Sequence, residues 1–182
     1  MAAYSLRYLG DPVLKQTTPD VTDIDGRLVK MVDDMFDVLY DASGLALAAP
    51  QVGIRKRLFV YDYRDTPGVL INPVIDESDG EWSYMEGCLS IPGIFFEIKR
   101  PKKVSLTGLD LDGNEVAYEA DELQARMFQH ELDHLNGQLM LEHLTPEQAK
   151  AAKKHLLDLR LNGPRKRAEP ITIGVDGREI DD

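Results

Sequence analysis

The spacing of apolar residues predicts a helix and two strands in the first half of the chain. Apolar side chains recur every three or four residues from Leu28 to Leu39, which predicts an amphipathic helix over roughly residues 25 to 41. Residues 57–63 and 68–75 form short runs rich in β-branched and aromatic side chains, which are typical of strands. Pro73 interrupts the second run, so we expect that strand to lie at a sheet edge or to end there.

Turn and capping residues predict a hairpin and a following helix. Residues 103–121 alternate between apolar and polar side chains on both sides of Asp112-Gly113, which is a strong hairpin signal. Asp121 is then a candidate N-cap, and Gln124 would complete a variant capping box with it. The helix that begins there is predicted to stop at Gly137.

The remaining segments complete an α+β prediction. Thr145-Pro146-Glu147-Gln148 has the residues that cap and begin a last helix. We expect antiparallel strands wrapped around a central helix, the one that follows Asp121, with further helices towards both termini. Residues 1–162 are predicted to form a single domain. Residues 163–182 turn to Gly, Pro and charge, which predicts a flexible tail.

Composition and charge narrow the functional classes. With 43% hydrophobic and 29% charged residues among 182, the chain has the composition of a soluble globular protein. No apolar run approaches the roughly 20 residues that cross a bilayer, and no signal peptide is visible, so no membrane partner is expected. The single cysteine, Cys88, excludes an internal disulfide and favours a reducing cytoplasm. The net charge of −11 argues against DNA as a partner.

The segment QHELDHLNG, residues 129–137, carries the first candidate chemistry. On a helix, His130 and His134 lie on one face about one turn apart, so both imidazoles can bind one metal ion. Glu131 would then lie near that ion and could handle protons. The alternative is a solvated helix whose His, Glu and Asp side chains face water. The pattern supplies only two ligands, so a metal site needs a third.

Cys88 is the candidate third ligand. It lies in EGCLSIPG, on a loop between strand-like runs. A free cysteine is more often a small buried hydrophobe, but this one is the only thiol and would complete a three-ligand set with an open fourth position. One thiolate and two imidazoles suit zinc, iron(II) or cobalt rather than magnesium or calcium. A Cys–His nucleophile is the rival interpretation, and it leaves the paired histidines and Glu131 without a role.

The segment GLALAAPQVG, residues 44–53, allows close approach of its backbone. Small residues surround Pro50 and are followed by Gln51. The segment taken alone is a tight loop after the first helix. Beside a metal, the amide N–H of Gln51 could donate to an oxygen that becomes negative during a reaction.

With these three segments in view, the chain resembles the peptide deformylases. The family's motifs G-x-G-L-A-A-x-Q, E-G-C-L-S and Q-H-E-x-D-H occur here in order, at residues 44–51, 86–90 and 129–134. The similarity runs from about Tyr8 to Arg160. Ala46 departs from the pattern by replacing the second glycine of the first motif, and its methyl group beside the substrate could narrow the site, or shift the loop if that position needs a positive φ. Phe95 stands where many members carry arginine, which leaves the entrance more apolar.

The resemblance implies a hydrolytic metal centre. Cys88, His130 and His134 would bind one divalent ion, natively iron(II) (Fe2+), with Zn2+, Ni2+ or Co2+ able to occupy the site. A water on the metal would attack the formyl carbon, because the ion lowers the pKa of that water. Glu131 would take the proton of the water and pass it to the departing amine. The products would be formate and a free methionyl N-terminus.

The resemblance also implies where the substrate, an N-formyl-methionyl nascent peptide, would bind. The side chain of Gln51 and the backbone N–H of Leu89 would join the metal in holding the oxyanion. The methionine side chain would enter an apolar pocket, although each candidate could equally be a core residue, and for Leu123 the core is favoured. The candidates for the substrate pocket are Gly44, Leu45, Ala46, Ile91, Leu123, Met127 and His130.

Two other functions fit part of the sequence. A zinc endopeptidase of the H-E-x-x-H type would take a downstream ligand, for which Glu142 and His143 are available. It would have no need of the motifs around Gln51 and Cys88. A non-catalytic metal-stabilised binding module would need a closed four-ligand site and would leave Glu131 dispensable.

The predicted C-terminal helix, residues 146–167, is locally basic in an acidic protein. Residues 150–167 carry a net charge of +6 from seven basic side chains and one acid. One interpretation is a solvated helix face followed by a solubilising tail. The other is docking on the ribosome, whose RNA phosphates surround emerging nascent chains and attract cations without sequence readout. The basic residues are Lys150, Lys153, Lys154, Arg160, Arg165, Lys166 and Arg167.

Overall fold

Two sheets and three helices make up residues 4–164 and 170–180, the part of the chain that this computed structural model describes. The helices are α1 Gly26–Asp41, α2 Glu122–Leu135 and α3 Pro146–Asn162. Short 3₁₀ turns occur at Pro12–Lys15, Ala49–Val52 and Met140–His143. The strands are β1 Ala46–Ala48, β2 Leu58–Asp62, β3 Pro67–Asp79, β4 Trp82–Cys88, β5 Ile91–Arg100, β6 Lys103–Leu109, β7 Glu115–Asp121 and β8 Ile171–Ile173.

The first sheet has the strand order β1-β2-β3-β6-β7 and is antiparallel throughout. The apolar face of α1 packs against it, as the periodicity predicts, with Asp25 capping the helix through hydrogen bonds from two backbone N–H groups. Pro73 does not mark an edge or a strand end, so that prediction is wrong. It lies in β3, in the centre of the sheet, at a register shift between Ile71 and Val74. The bulge removes the need for a ladder hydrogen bond from proline.

The predicted hairpin is confirmed and leads directly into α2. Strands β6 and β7 pair in register around a turn in which Asp110 accepts bonds from the backbone of Asp112 and Asn114. Asp121 occupies the N-cap position, but its side chain makes no capping bond, so the predicted capping box is wrong. Asp121 is still paired in β7, and the N–H of Glu122 donates to the carbonyl of Lys102 instead, so the sheet replaces the cap.

Helix α2 is the central helix of the prediction. One side packs with the first sheet through Met127, Phe128 and Leu132. On the other side Arg126 donates to backbone carbonyls of the strands β4 and β5, from the second sheet. Ten of its fourteen residues are therefore buried, including both histidines and Glu131. No helix among the described residues is long and apolar enough to span a membrane.

The second sheet has the order β4-β5-β8 and supports α3. Thr145 caps α3 and forms the predicted box with Gln148. Residues 171–173, which we predicted to belong to a flexible tail, form β8 in parallel with β5. A three-residue strand amid glycine and charge has too little alternation to be recognised from its sequence. Residues 165–169 and 181–182 of the predicted tail lie outside the described part of the chain.

Candidate metal centre

Three donor side chains converge at the end of β4 and on α2. One donor atom from each of Cys88, His130 and His134 lies within 4.8 Å of the other two. The Sγ of Cys88 is 3.3 Å from the Nε2 of His134. The two imidazole rings, one helical turn apart, have centroids 4.9 Å apart and meet edge to face. The helical spacing of the histidines and the separate thiol are thus brought together as the sequence predicts.

The local structure of β4 explains how Cys88 reaches α2. The pairing of β4 with β5 shifts register between Glu86 and Cys88. A bulge of this kind turns the strand and redirects the side chains that follow it. Cys88 follows this bulge and pairs with Ile91 beside the β4–β5 turn, where its sulfur is partly buried against the helix.

These residues fit a divalent transition metal. A tetrahedral ion with a metal–sulfur bond of about 2.3 Å and a metal–nitrogen bond of about 2.1 Å puts those two donors roughly 3.6 Å apart, close to the 3.3 Å between Cys88 and His134. The donors are one sulfur and two nitrogens, the type of set that binds iron(II), zinc or cobalt. Beside them, the Oε2 of Glu131 is buried and lacks a hydrogen-bond partner among the described residues. An orphaned carboxylate oxygen near three donors is consistent with a site for a cation and a polar ligand.

Glu86 anchors His130 from behind. Its carboxylate accepts a 2.7 Å bond from the Nδ1 of His130, which fixes the ring and leaves Nε2 for the cluster. Arg100 donates to both oxygens of Glu86, and Arg126 donates to one of them, each at 2.7 Å. Burial alone would raise the pKa of Glu86, but the bonds from Arg100 and His130 outweigh it and hold that pKa well below the usual value.

A second carboxylate extends this network to the surface. Asp133 accepts from the Nη1 of Arg100 at 2.9 Å and pairs with the Nε2 of His143 at 2.8 Å. Burial alone would raise the pKa of Asp133, but the bonds from His143 and Arg100 outweigh burial and hold that pKa below its usual value. The Asp133 carboxylate therefore stays ionised. Arg100 thus links the carboxylate behind His130 with the one beside His134.

Glu131 is a buried acid beside the three donors. Its side chain is 3% exposed and lies on the buried side of α2. Burial raises the pKa of Glu131 to about 7, and the neighbouring charge of His130 opposes that rise. A carboxyl group with a pKa near neutrality can both accept a proton and give it back.

Gln51 is held with its amide nitrogen towards Cys88, one of the three donors. Its Oε1 accepts the backbone N–H of Ala48 at 2.8 Å. Its Nε2 is then directed to the Oγ of Ser90 at 3.3 Å and to the Sγ of Cys88 at 3.7 Å. The 3₁₀ turn Ala49–Val52 that carries Gln51 is buried, so the amide is fixed rather than free to rotate.

A cavity of about 610 Å³ opens onto this cluster, within the size range of binding sites for small ligands. Leu123 also lines it, although the sequence favoured a core role. Ile91 does not line it. It is fully buried in a core cluster with Ile94 and Phe96, so the prediction that places it in the pocket is corrected. The predicted residues that do line the cavity are Gly44, Leu45, Ala46, Gln51, Cys88, Leu89, Met127, His130 and Glu131.

The family model of polypeptide deformylases matches residues 3–150, most of the described chain. The chain belongs to this family. It is 40% identical over 180 residues to a peptide deformylase of Acidothermus cellulolyticus, covering 99% of this chain and 100% of that one. It is 48% identical over 145 residues to one of Clostridium botulinum, covering 80% and 99%. The structure of a Synechococcus elongatus peptide deformylase in complex with actinonin matches with a TM-score of 0.81 and 40% identity, covering 85% of this chain and 89% of that one.

The deformylase family is metal-dependent, and the Cys/His/His cluster agrees with this. The departure at Ala46 causes no backbone strain, because Ala46 lies in β1, in extended pairing with Tyr61. Gly44, the glycine of that motif which this chain keeps, is closely surrounded. A Cβ there would come within 2.9 Å of side-chain atoms of both Leu39 and Leu89.

The sequence predicts no role for Glu86, Arg100 and Arg126, which lie behind the three metal donors. Glu86 belongs to the second motif, and that position was the available signal. Arg100 and Arg126 come from β5 and α2, and no spacing rule links them to Glu86 because the contact is made only after the sheets fold onto the helix.

Proposed function

We propose that this chain is a metal-dependent hydrolase that removes the N-formyl group from the initiator methionine of nascent polypeptides and releases formate. The observation that carries the proposal is the buried Glu131 carboxylate, whose Oε2 lacks a hydrogen-bond partner among the described residues, beside three converging metal donors at an open cavity. Cys88, His130 and His134 would hold the ion. When bound, the ion would act as a Lewis acid and lower the pKa of a water molecule towards neutrality.

Glu131 moves the proton in this mechanism. As water attacks the formyl carbon, the Oε2 of Glu131, which lacks a partner among described residues, accepts the proton of that water. Because its pKa of about 7 lies near neutrality, Glu131 can then return the proton to the nitrogen of the departing methionine. Breaking the C–N bond yields formate and a free amine.

Gln51 and Leu89 stabilise the negative oxygen of the tetrahedral intermediate. The bond from Ala48 to the Oε1 of Gln51 fixes which end of the amide points to the site, so Nε2 donates without reorganisation. Leu89 follows Cys88 and lines the same cavity, and its backbone N–H is the second donor of the proposal.

The substrate backbone binds between two strand edges. Strand β1 ends the order of the first sheet, and β4 ends the order of the second. Residues 44–46 and 85–89, at or beside these edges, line the cavity, and no further strand pairs with them within the described chain. An extended peptide can therefore add to both edges, as peptides do at open sheet edges. Met127 and Leu123 provide the apolar wall for the methionine side chain.

The native ion in this proposal is iron(II), with Zn2+, Ni2+ or Co2+ as alternatives. Its support is the thiolate–imidazole set, which accepts each of these ions. Geometry alone does not select among them, because all four tolerate this coordination. Metal analysis of protein purified without air identifies the ion, and we expect iron.

The structure disfavours the two other functions. An endopeptidase ligand downstream of α2 is absent from the described cluster, because Glu142 binds Lys15, and His143 binds Asp133. A closed structural site would need a fourth donor, and the donor group found among the described residues has three members, Cys88, His130 and His134.

Hydrolysis of a formyl-Met peptide, compared with a matched N-acetyl peptide and with an internal peptide bond, tests this function. We expect only the formyl group to be removed. Glu131→Gln should lower kcat by at least about 100-fold, because the amide cannot accept the proton of the water, while the metal content stays that of the wild type.

Glu142→Gln is the control, since Glu142 is an exposed acid that pairs with Lys15. Its turnover should match the wild type. Normal turnover by Glu131→Gln would assign Glu131 a structural role, and cleavage of internal bonds would favour the endopeptidase.

The location and a larger partner complete the proposal. We place the enzyme in the cytoplasm, where nascent chains emerge, and propose that α3 docks on the ribosome. Three lysines and Arg160 are exposed on α3, and Leu157 and Leu161 are exposed with them. Such a face suits a surface that offers both phosphate and apolar contacts. Arg165, Lys166 and Arg167 lie outside the described residues. The exposed lysines are Lys150, Lys153 and Lys154.

A further inference from the structure

Phe95 is an exposed aromatic residue beside the proposed active site. Strand β5 buries Ile94 and Phe96 in the core, so the alternation of the strand turns Phe95 the other way, into the cavity. Its side chain is 39% exposed. The pairing of Phe95 with Thr172 of β8 fixes the backbone at this position. A large apolar side chain kept in contact with water at a cavity wall is a candidate ligand contact.

The ring of Phe95 is seated on Gly87. A Cβ at Gly87 would overlap ring atoms of Phe95, so the absence of a side chain there makes room for the ring. Gly87 immediately precedes Cys88 on β4, whose edge receives the substrate in the proposed function. The ring consequently lies beside the path of an extended peptide, close to the metal donors.

The cavity around Phe95 presents no exposed charge among its described lining residues. Leu45, which is 48% exposed and immediately precedes β1, lines the same cavity. The acidic and basic side chains of the described lining are all buried at 8% exposure or less: Glu86, Arg126, His130 and Glu131. Two exposed apolar side chains, one beside β1 and one on β5, thus border one cleft.

We infer that Phe95 makes this enzyme select apolar side chains at the second or third residue of its substrate. The inference rests on the proposed function and deepens it. An apolar side chain that follows formyl-methionine along β4 would lose contact with water against the ring of Phe95 and against Leu45. A polar side chain of similar size would lose hydration there, and the described residues lining that part of the cleft offer it no charged partner.

The test uses four peptides, formyl-Met-Xaa-Ala and formyl-Met-Ala-Xaa, with Xaa either leucine or asparagine. These two residues have similar size and differ in polarity. For the wild type we expect kcat/KM to favour leucine by about three- to tenfold at one of the two positions, the effect of partly burying one apolar side chain. The preference should lie in KM, because Phe95 contacts the bound peptide and not the reacting atoms.

Phe95→Ala should bring the leucine-to-asparagine ratio close to one, and Phe95→Tyr, which keeps the ring, should retain the preference. Val74→Ala is the matched control, because Val74 is exposed on β3 and does not line the cavity. Equal metal content and melting temperature establish that all variants are folded.

Two results would overturn the inference: a wild-type ratio near one at both positions, or a ratio that survives in Phe95→Ala. Failure of the proposed function would look different. In that case the wild type would hydrolyse none of the four peptides, and the inference would be overturned with it.

Discussion

At the scale of single residues, Cys88 is placed by constraints that act on both of its sides. The bulge in β4 directs its sulfur to the Nε2 of His134, 3.3 Å away. The Nε2 of Gln51, from the first sequence motif, lies 3.7 Å from the same sulfur. A thiol in this position touches members of all three sequence motifs, so its loss should affect the metal centre before it affects the fold.

Cys88→Ala should therefore lose bound metal and formyl-Met hydrolysis together, with a fall in metal affinity of at least about 100-fold, more than the loss of an outer hydrogen bond to a ligand. The circular dichroism spectrum should stay that of a folded protein, because Cys88 is only partly buried. Metal content after dialysis and the initial rate are the measurements.

Cys88→Asp is the companion variant, since a carboxylate also binds divalent ions. It should regain metal but not the full rate, because the charge of the ligand tunes the bound water. Full metal content and normal turnover in Cys88→Ala would exclude Cys88 as a ligand.

Whether the position of a residue could be predicted depended on how far apart in the sequence the residue and its contacts lie. His130 and His134 were recognised because an interval of four residues is a property of one helix. The partners of Glu86 were not, because Arg100 reaches it from the next strand along and the contact needs both sheet and helix in place. Ile91 was misplaced for a related reason: an apolar residue beside a motif looks the same whether its side chain faces the pocket or the core.

At the scale of elements, the helices and strands whose own sequence carries a periodic, turn or capping pattern formed where they were predicted. Helix α1 has a complete apolar stripe, and the hairpin β6–β7 has its Asp-Gly turn. Helix α3 has a full capping box at Thr145. Strand β8 has no such signal, because it is stabilised by an existing edge of β5 and not by its own pattern. Gln148 shows this, since its Nε2 donates to the carbonyls of both Glu97 in β5 and Ile173 in β8.

A pair of isoleucines in the C-terminal segment tests whether β8 is part of the folded domain. Ile173 is 3% exposed and belongs to a core cluster, whereas Ile180 is 41% exposed. Ile173→Ala should lower the free energy of unfolding by about 2–4 kcal/mol, the usual cost of truncating a buried isoleucine. Urea denaturation is the measurement.

Ile180→Ala is the matched control and should cost far less, since the same substitution removes a side chain that is largely in water. Equal denaturation midpoints for the wild type and Ile173→Ala would instead support the flexible tail that the sequence predicted from residue 163 onwards.

At the scale of the whole molecule, charge is divided between the segment 150–167 and the rest of the chain. The segment 150–167 carries +6 in a protein of net charge −11, so the rest of the chain is strongly acidic. An acidic surface is repelled by RNA phosphate, while a basic helix is attracted to it by counterion release. This division would orient the protein on a ribosome, with α3 towards the RNA and the remainder away from it.

Docking of this kind predicts ribosome binding that weakens steeply with salt. Replacing four basic residues of the segment with alanine should weaken binding at low salt and reduce the salt slope by about one unit for each phosphate that is no longer neutralised. Turnover of a short free formyl-Met peptide should stay nearly that of the wild type. Co-sedimentation with ribosomes over a salt series is the measurement. The four residues are Lys153, Lys154, Lys166 and Arg167.

A control variant separates docking from net charge. It removes the same number of exposed cations from elements other than α3, so its total charge equals that of the test variant while α3 is unchanged. If α3 docks, the control keeps its ribosome affinity, since binding to phosphate depends on where the cations lie. Equal affinities of the wild type and the variant of segment 150–167 at low salt would rule out docking through this segment. An equal loss of affinity in both variants would reduce the effect to net charge. The control residues are Arg55, Lys56, Arg64 and Lys103.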